Sequence, residues 1–329
     1  MRIAVDAMGG DLAPQAPVEG VLAAAKEWPD TQFKLVGKPD VLNPLLGSGK
    51  PSNVTVVEAE ETIEADDEPV RAVRRKTNAS MVVAGRLIKE GEADAMISAG
   101  NTGALMTVGL LVLGRLKGIE RPGLAPILPT VDKLGVLALD LGANMDAKPE
   151  HLLQYALMGS LYRQKVHGMA KPRVGLLNVG TEEAKGNELT KAAFDLLKEA
   201  PIHFIGNVEA RDVLERNCDV LVCDGFAGNI LLKGMEGAAD TLFGVLKKEL
   251  TSSWQSKLAA AILRPNFRRV RHMMDPKEHN GAPLLGVNGL VVKSHGSSDA
   301  VATKHAIRQA RVAIGNGLIA ALADEFGGK

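Results

Sequence analysis

The most constraining feature of this chain is a unit that recurs along it. A short apolar run is followed by a loop of glycine, asparagine, aspartate and serine, and then by a stretch with helical spacing. The fullest example spans residues 219 to 237 and reads DVLVCDGFAGNILLKGMEG. Asp219 to Cys223 is β-branched and nearly all apolar, as expected of a strand buried on both faces. Asp224 to Asn229 interrupts it with glycines, which permit tight turns and close backbone approach. From Ile230 the spacing is helical, with Ile230, Leu231 and Met235 on one side. A strand, a glycine loop and a helix start together offer unpaired N–H groups and the positive end of a dipole, which suits an anion.

By the same periodicity there are about six such units. Ile3 to Val5 leads into Asp6 to Asp11, and Ala93 to Ile97 into Ser98-Ala99-Gly100-Asn101-Thr102-Gly103 and the apolar stretch Ala104 to Leu113. Val136 to Leu139 leads into Asp140-Leu141-Gly142-Ala143-Asn144, and Arg173 to Leu177 into Asn178 to Asn187. Leu290 to Val292 leads into Ser294-His295-Gly296-Ser297-Ser298-Asp299 and a last helix. Further strands are predicted at Phe33 to Val36 and Val54 to Val57, and helices at Pro17 to Trp28, after Asp66-Asp67-Glu68-Pro69, and at Ser80 to Lys89. Alternating strands and helices predict an α/β fold with a mostly parallel sheet covered on both faces. In such sheets ligands gather beyond the carboxyl ends of the strands. The length, 329 residues, suits two domains or lobes, or one large α/β unit over 1–329, and the loops are expected to converge on a single cleft.

Composition narrows the function. Lys+Arg and Asp+Glu balance at 39 each, so no global field attracts nucleic acid, and aromatics for stacking bases are only 3%. Cys218 and Cys223 lie on opposite faces of one strand and have no zinc spacing, so both are expected to be free buried thiols of a reducing compartment. Met1 to Asp6 runs directly into a strand and turn, and no leader is expected there. The longest apolar run, Ala104 to Leu113, is too short to span a bilayer.

One segment departs from the alternation. In 251–275, Trp254, Leu258, Ala261 and Ile262 fall on one helical face. Lys257, Arg264, Arg268, Arg269 and Arg271 make a dense basic patch there. An amphipathic basic arm of this kind suits anionic lipid, an acidic protein, or a second subunit.

The chain lacks HExxH, GxSxG and GxGxxG after a strand, and its histidines have no metal spacing. Gly47-Ser48-Gly49-Lys50 fails as a phosphate loop, because Pro44 and Pro51 occupy required positions. Arg71, Arg74, Arg75 and Lys76 fit either a solvated helix or a contact to an anionic ligand. His295 beside Ser297 and Ser298 is a weak nucleophile–base pattern. Anion-binding loops without a protein nucleophile suggest that the anion is itself the nucleophile, held against an electrophilic carbonyl. Lys185, in a glycine-flanked loop before a helix, is the natural cation for such a site, and a solvated surface lysine is an equal reading from spacing alone.

Six runs in order then resemble one family, the bacterial phosphate acyltransferases of phospholipid synthesis. They are Val5 to Asp11, Ile97 to Ala104, Asp140 to Asn144, Leu177 to Asn187, Asp224 to Asn229 and His295 to Ser298. The resemblance spans nearly the whole chain. It implies a three-layer α/β/α fold similar to the isocitrate/isopropylmalate-dehydrogenase-like and phosphotransacetylase folds. It also implies transfer of an acyl group from acyl carrier protein to orthophosphate, with no metal or other cofactor. Lys185 and Asn229 are the expected catalytic residues. Ser98, Gly100, Asn101, Thr102, Gly103, Asn144, Asn187, Gly225, Gly228, His295 and Ser297 are expected to bind phosphate or substrate. Trp254, Leu258, Arg264, Arg268, Arg269 and Arg271 are expected to meet membrane or carrier protein. The implied setting is cytoplasmic and peripheral to the inner face of the membrane, as a homodimer, supplying a membrane glycerol-3-phosphate acyltransferase. The rivals are a dehydrogenase on the related fold, which requires a dinucleotide, and a non-catalytic sensor of a phosphate metabolite or acidic protein.

Overall fold

The computed structural model describes residues 1–273 and 281–327. In chain order the first elements are β1 (Arg2–Asp6), α1 (Gln15–Glu27), β2 (Gln32–Gly37), α2 (Pro39–Leu46) and β3 (Val54–Glu58). Next come α3 (Pro69–Arg75), α4 (Ser80–Lys89), β4 (Ala95–Ser98) and α5 (Thr102–Val108). Two short strands, β5 (Gly123–Leu124) and β6 (Ile127–Leu128), precede β7 (Val136–Leu139), α6 (Pro149–His167), β8 (Arg173–Asn178), α7 (Glu188–Glu199) and β9 (His203–Glu209). The remainder is β10 (Val220–Val222), α8 (Gly225–Leu250), α9 (Trp254–Met273), β11 (Ala282–Leu285), β12 (Leu290–Lys293), α10 (Ala300–Gly315) and α11 (Leu318–Gly327).

The strands form two sheets rather than one. The first has seven strands in the order β3-β2-β1-β4-β12-β11-β5, and the second five in the order β6-β7-β10-β8-β9. All neighbours are parallel except at one edge of each sheet, where β11 pairs antiparallel with β12 and β5, and β6 with β7. The chain crosses from one sheet to the other between β5 and β6 and returns after α9. The switch of sheet at Pro126 has no periodicity signal, because both flanking strands are only two residues long.

The parallel strands are buried on both faces, as their unbroken apolar runs require. Ile3, Phe33 and Leu35 are fully buried, with Ile3 in register with Phe33 on one side and Ala95 on the other. One core continues from Val5, Ile97 and Val292 under the first sheet to Leu137, Val174 and Val220 under the second. Helices α6, α10 and α11 join the two halves through Tyr155, Ala306 and Leu322. Arg163 of α6 is fully buried, and its guanidinium donates to the carbonyls of Asp219 at 3.0 Å and Gly135 at 2.5 Å. Burial pushes its pKa down to about 10, and the carbonyl bonds offset part of the cost of burying it.

Local signals set the helix starts near the strand ends. Glu68 caps α3 by accepting from the N–H groups of Val70 and Arg71, with Pro69 at the first helical position. Asn187 and Thr190 form a reciprocal cap on α7. At residues 224–229 the expected glycine loop is instead helix. Asp224 is the N-cap of α8, accepting from Phe226 and Ala227, so the helix begins at Gly225, before the first apolar-periodic residue. Aspartate is as strong a cap as it is a turn residue, and here the cap prevails.

Candidate active site

The functional loops fall into two groups, one on each sheet. On the seven-stranded sheet they follow β1, β4 and β12, three adjacent strands. Asp6 ends β1 with its carboxylate buried, accepting from the Ser98 hydroxyl at 2.6 Å and the Met8 N–H at 3.1 Å. Burial raises its pKa, and bonds from Ser80, Ser98, Met8 and Gly9 oppose the rise. The Ser98 hydroxyl also accepts from the Gly100 N–H at 3.0 Å. Gly9 lies so close to this pair that a Cβ would sit 2.6 Å from the Asp6 carboxylate and 2.8 Å from the Gly100 nitrogen. Asn101 caps α5, accepting from Ala104, while its amide lies within hydrogen-bonding distance of the carbonyls of Glu64, Ala65 and Asp67. The β12 loop is fastened to the same group: Ser294 N–H donates to Ser98 at 2.9 Å, and Asp11 N–H to Gly296 at 2.8 Å. Within it, His295 Nδ1 lies 2.9 Å from the Ser297 hydroxyl and accepts from the Ser297 N–H.

The second group follows β7, β10 and β8, again adjacent. Asp140 is buried at the end of β7 and accepts from the N–H groups of Gly142, Ala143 and Asn144. Burial raises its pKa against those bonds. The Asn144 amide lies within 2.6 Å of the Tyr155 hydroxyl and 3.1 Å of the Pro122 carbonyl. The start of α8 is pressed onto this turn: Gly225 N–H donates to the Asn144 carbonyl at 3.0 Å, and a Cβ on Gly228 would lie 2.1 Å from the Asp140 carbonyl oxygen. Gly142, at φ 132°, leaves room for the Asn229 amide above it. Asn229 and Lys233 line a pocket of about 220 Å³ with Met145, Phe226 and Ile230. Lys185 lies in the loop after β8, exposed, its carbonyl held by the Asn178 amide at 3.2 Å. Among the described residues no hydrogen bond or ion pair engages its ammonium group.

The family described as "Fatty acid synthesis protein" matches residues 1–321. A phosphate acyltransferase of Geobacillus thermodenitrificans is 56% identical over 326 residues, covering 99% of each chain. One of Brevibacillus brevis is 60% identical over 307 residues, covering 93% of this chain and 92% of the relative. The chain belongs to the phosphate acyltransferase family. Its activity is that of a phosphate acyltransferase, an enzyme that generates acyl-phosphate. Among solved structures it is similar to the EutD phosphotransacetylase of Staphylococcus aureus (TM-score 0.58, 16% identity, 95% of this chain and 94% of that one). A phosphotransacetylase of Streptococcus pyogenes gives TM-score 0.57 at 17% identity, over 95% of this chain and 94% of that one. The phosphotransacetylase-like α/β fold expected from the motifs is therefore the fold observed.

Every expected loop residue of this phosphate acyltransferase lies at the carboxyl end of a strand, but the two groups are distinct. Ser98, Gly100, Asn101, Thr102, Gly103, His295 and Ser297 belong to the first. Asn144, Lys185, Asn187, Gly225, Gly228 and Asn229 belong to the second. The amides of Asn101 and Asn144 are turned inward onto carbonyls, and Asn187 caps a helix, so these three build the loops through their side chains. Arg71, Arg74 and Arg75 are exposed on α3, and Arg74 lines a groove with Arg86 and Lys89. Sequence reasoning missed Asp6 and Asp140 as organisers and overlooked Lys293 entirely. An aspartate ending an apolar strand ahead of a glycine turn was a readable signal for the first two. A lysine inside the buried run Leu290–Lys293 was the signal for the third.

The arm is a helical hairpin. Only Gly225 and Gly228 of the 26 residues of α8 are buried, and α9 packs back against it after the turn at Thr251. At 1.5 Å per residue α8 is roughly 39 Å long. Trp254, Leu258 and Ile262 are 72%, 59% and 73% exposed, and Leu242 and Val245 of α8 are exposed as well. The sequence reading placed the arm in 251–275, whereas half of the hairpin is α8. Arg264 and Arg269 are exposed, while the Arg268 and Arg271 side chains and residues 274–275 lie outside the described residues. Among the described residues no helix is long and apolar enough to cross a membrane.

Proposed function

We propose that the acyl donor is the thioester of an acyl carrier protein and that the two loop groups hold the two reactants. Orthophosphate sits against the N–H groups at the start of α5 and the β12 loop, with Ser98, Gly100, Thr102, Gly103 and Ser297 around it. The thioester carbonyl lies toward Lys185, Gly225, Gly228 and Asn229. A phosphate oxygen attacks the carbonyl carbon, forming a C–O bond and a tetrahedral oxyanion. Collapse breaks the C–S bond, and the thiolate leaves with a proton from solvent. The Lys185 ammonium and the Asn229 amide stabilise the oxyanion. The observation that carries this reading is one helix N-terminus at a strand end of each sheet, α5 after β4 and α8 after β10, with Lys185 in the loop of β8 next to β10, in a phosphate acyltransferase.

The pocket beside Asn229, with Phe226, Ile230 and Met145, gives the acyl chain an apolar path away from the reacting carbon. The exposed apolar side chains of the hairpin, with Arg264 and Arg269 exposed in α9, fit an anionic bilayer, so that the enzyme, read as a cytoplasmic homodimer, rests on the membrane and delivers acyl-phosphate to a membrane glycerol-3-phosphate acyltransferase. Trapping the product with hydroxylamine tests the donor: hydroxamate is expected from acyl carrier protein thioester and phosphate. Equal rates with acyl-coenzyme A would reject carrier-protein specificity, and enzyme-dependent product without phosphate, above the direct reaction of hydroxylamine with the thioester, would reject phosphate as nucleophile.

A further inference from the structure

Lys293 is the last residue of β12, which lies between β4 and β11 in the seven-stranded sheet. It is 8% exposed. A lysine almost never sits this deep unless its charge is employed. Its Nζ donates to the Ala99 carbonyl at 3.3 Å and to the Ser294 carbonyl of its own loop. Those carbonyls belong to the β4 loop that opens α5 and to the β12 loop that carries His295 and Ser297. The ammonium is therefore bonded to both loops at once. No carboxylate is paired with it among the described ion pairs. The charged groups facing it are Asp6 at the end of β1 and Asp11 in the following loop, with His295 two residues along its own loop.

We propose that Lys293 is a positioning residue of acyl transfer to phosphate: by tying Ala99 to Ser294 it fixes the spacing of the β4 and β12 loops that cradle orthophosphate. The ammonium makes both bonds charge-assisted, and the neutral amine can keep them only as weaker, uncharged ones. Burial pushes the Lys293 pKa down to about 8, against the pull of Asp11 and Asp6, so the cross-link is complete below that pH and loosens above it. Orthophosphate is already almost wholly the dianion there, so its own ionisation does not imitate the effect.

This inference rests on phosphate occupying the seven-stranded loop group. Its test is the rate of acyl-phosphate formation by the full-length enzyme, trapped as hydroxamate at saturating acyl carrier protein thioester. Phosphate is varied from pH 6.5 to 9.5 for wild type, Lys293→Met and Lys293→Arg, with thermal unfolding recorded alongside. The expected result for Lys293→Met is a KM for phosphate raised about tenfold or more, with the KM for the thioester changed less than about threefold. In the wild type the KM for phosphate climbs above about pH 8, and in Lys293→Arg it stays flat, because guanidinium does not titrate there. Three results would overturn the proposal: wild-type constants in Lys293→Met, a loss spread equally over both substrates, or an unchanged pH limb in Lys293→Arg. If Lys293→Met does not fold, the Lys293→Arg limb decides alone. A wild-type enzyme whose KM for phosphate responds to Lys185→Ala and not to Lys293→Met would instead place phosphate in the other loop group, which separates failure of the site reading from failure of the cross-link.

Discussion

The two loop groups share a plan and differ in how firmly they are closed. Each has an aspartate buried at a strand end that collects backbone N–H groups, Asp6 in one and Asp140 in the other. In the group on the seven-stranded sheet the cation, Lys293, is buried and bonded to two loops. In the group on the five-stranded sheet the cation, Lys185, is exposed and its ammonium is engaged by nothing among the described residues. Under the proposed function the first group is the fixed cradle for orthophosphate. The second has an open edge, a pocket beside Asn229, and a helix that runs on into the hairpin. A buried cation costs desolvation and gains precision, whereas an exposed one stays free to meet charge that appears only during reaction.

The largest effect expected is on the exposed lysine. Lys185→Ala should lower kcat about 10²–10³-fold, roughly 3–4 kcal/mol of transition-state stabilisation, as for loss of one oxyanion donor. Its stability should change by no more than about 0.5 kcal/mol, because the side chain is exposed. Near-normal turnover measured by hydroxamate trapping would erase the contrast between the lysines.

A second way to break the comparison is steric. Gly228→Ala would place a Cβ 2.1 Å from the Asp140 carbonyl oxygen, a backbone atom that cannot move aside cheaply. A loss of about 2–4 kcal/mol in denaturant unfolding is expected. Gly234→Ala, on the same helix with nothing within 4 Å, should instead gain about 0.5–1 kcal/mol. Equal behaviour of the two variants would mean that α8 is not pressed onto the Asp140 turn.

Much of this was legible in the sequence. Buried parallel strands are continuous apolar runs, so β1, β4, β7, β8, β10 and β12 could be placed from their residues, along with the loops that follow them. Helix starts were less legible, because Asp224 can open a turn or cap a helix, and only packing against Asn144 and Asp140 decides. The division into two sheets was hidden in strands of two residues, β5 and β6, which are too short for any period to register. Asn101 and Asn144 looked like ligand contacts because asparagine amides serve both purposes. Which purpose prevails depends on carbonyls of Asp67 and Pro122, distant in sequence. Lys293 escaped notice because a lysine at a strand end usually faces solvent.

The buried lysine gives a subtler test of stability. Its folded pKa is about 8 and its ordinary value 10.5, a difference of about 2.5 units. At 1.36 kcal/mol per unit that is a cost of about 3 kcal/mol for burying the charge. Below pH 8 both folded and unfolded chains carry the proton, and the cost is borne in full. Between pH 8 and 10.5 the unfolded chain binds more protons, so this contribution to stability rises with pH. Lys293→Met removes the cost and orphans two carbonyls, at about 1–3 kcal/mol each, so the net change near pH 7 should lie within about 3 kcal/mol of zero. Chemical denaturation across pH 7 to 10 should show the wild type gaining on Lys293→Met as pH rises. A parallel pair of profiles would mean that the charge is not buried as described.

The smallest effect on the catalytic body should come from the hairpin. Helix α8 begins in the five-stranded loop group, against Asn144, and runs about 39 Å from it, so the arm grows directly out of a helix start of that group. Replacing Leu258 and Ile262 with serine alters side chains that are 59% and 73% exposed and should leave stability within about 0.5 kcal/mol. Sedimentation with vesicles rich in anionic lipid should nevertheless fall sharply, because the apolar face supplies the insertion and the arginines alone supply only screened attraction. The KM for phosphate should not move, since the hydrogen bonds of Lys293 and Ser98 run to Ala99, Ser294 and Asp6 within the first loop group. Unchanged sedimentation combined with a monomer in place of a dimer would show that the apolar face is covered by a second copy of the chain. A raised KM for phosphate would show that the two loop groups are coupled through α8, and the contrast between a fixed cradle and an open edge would then fail.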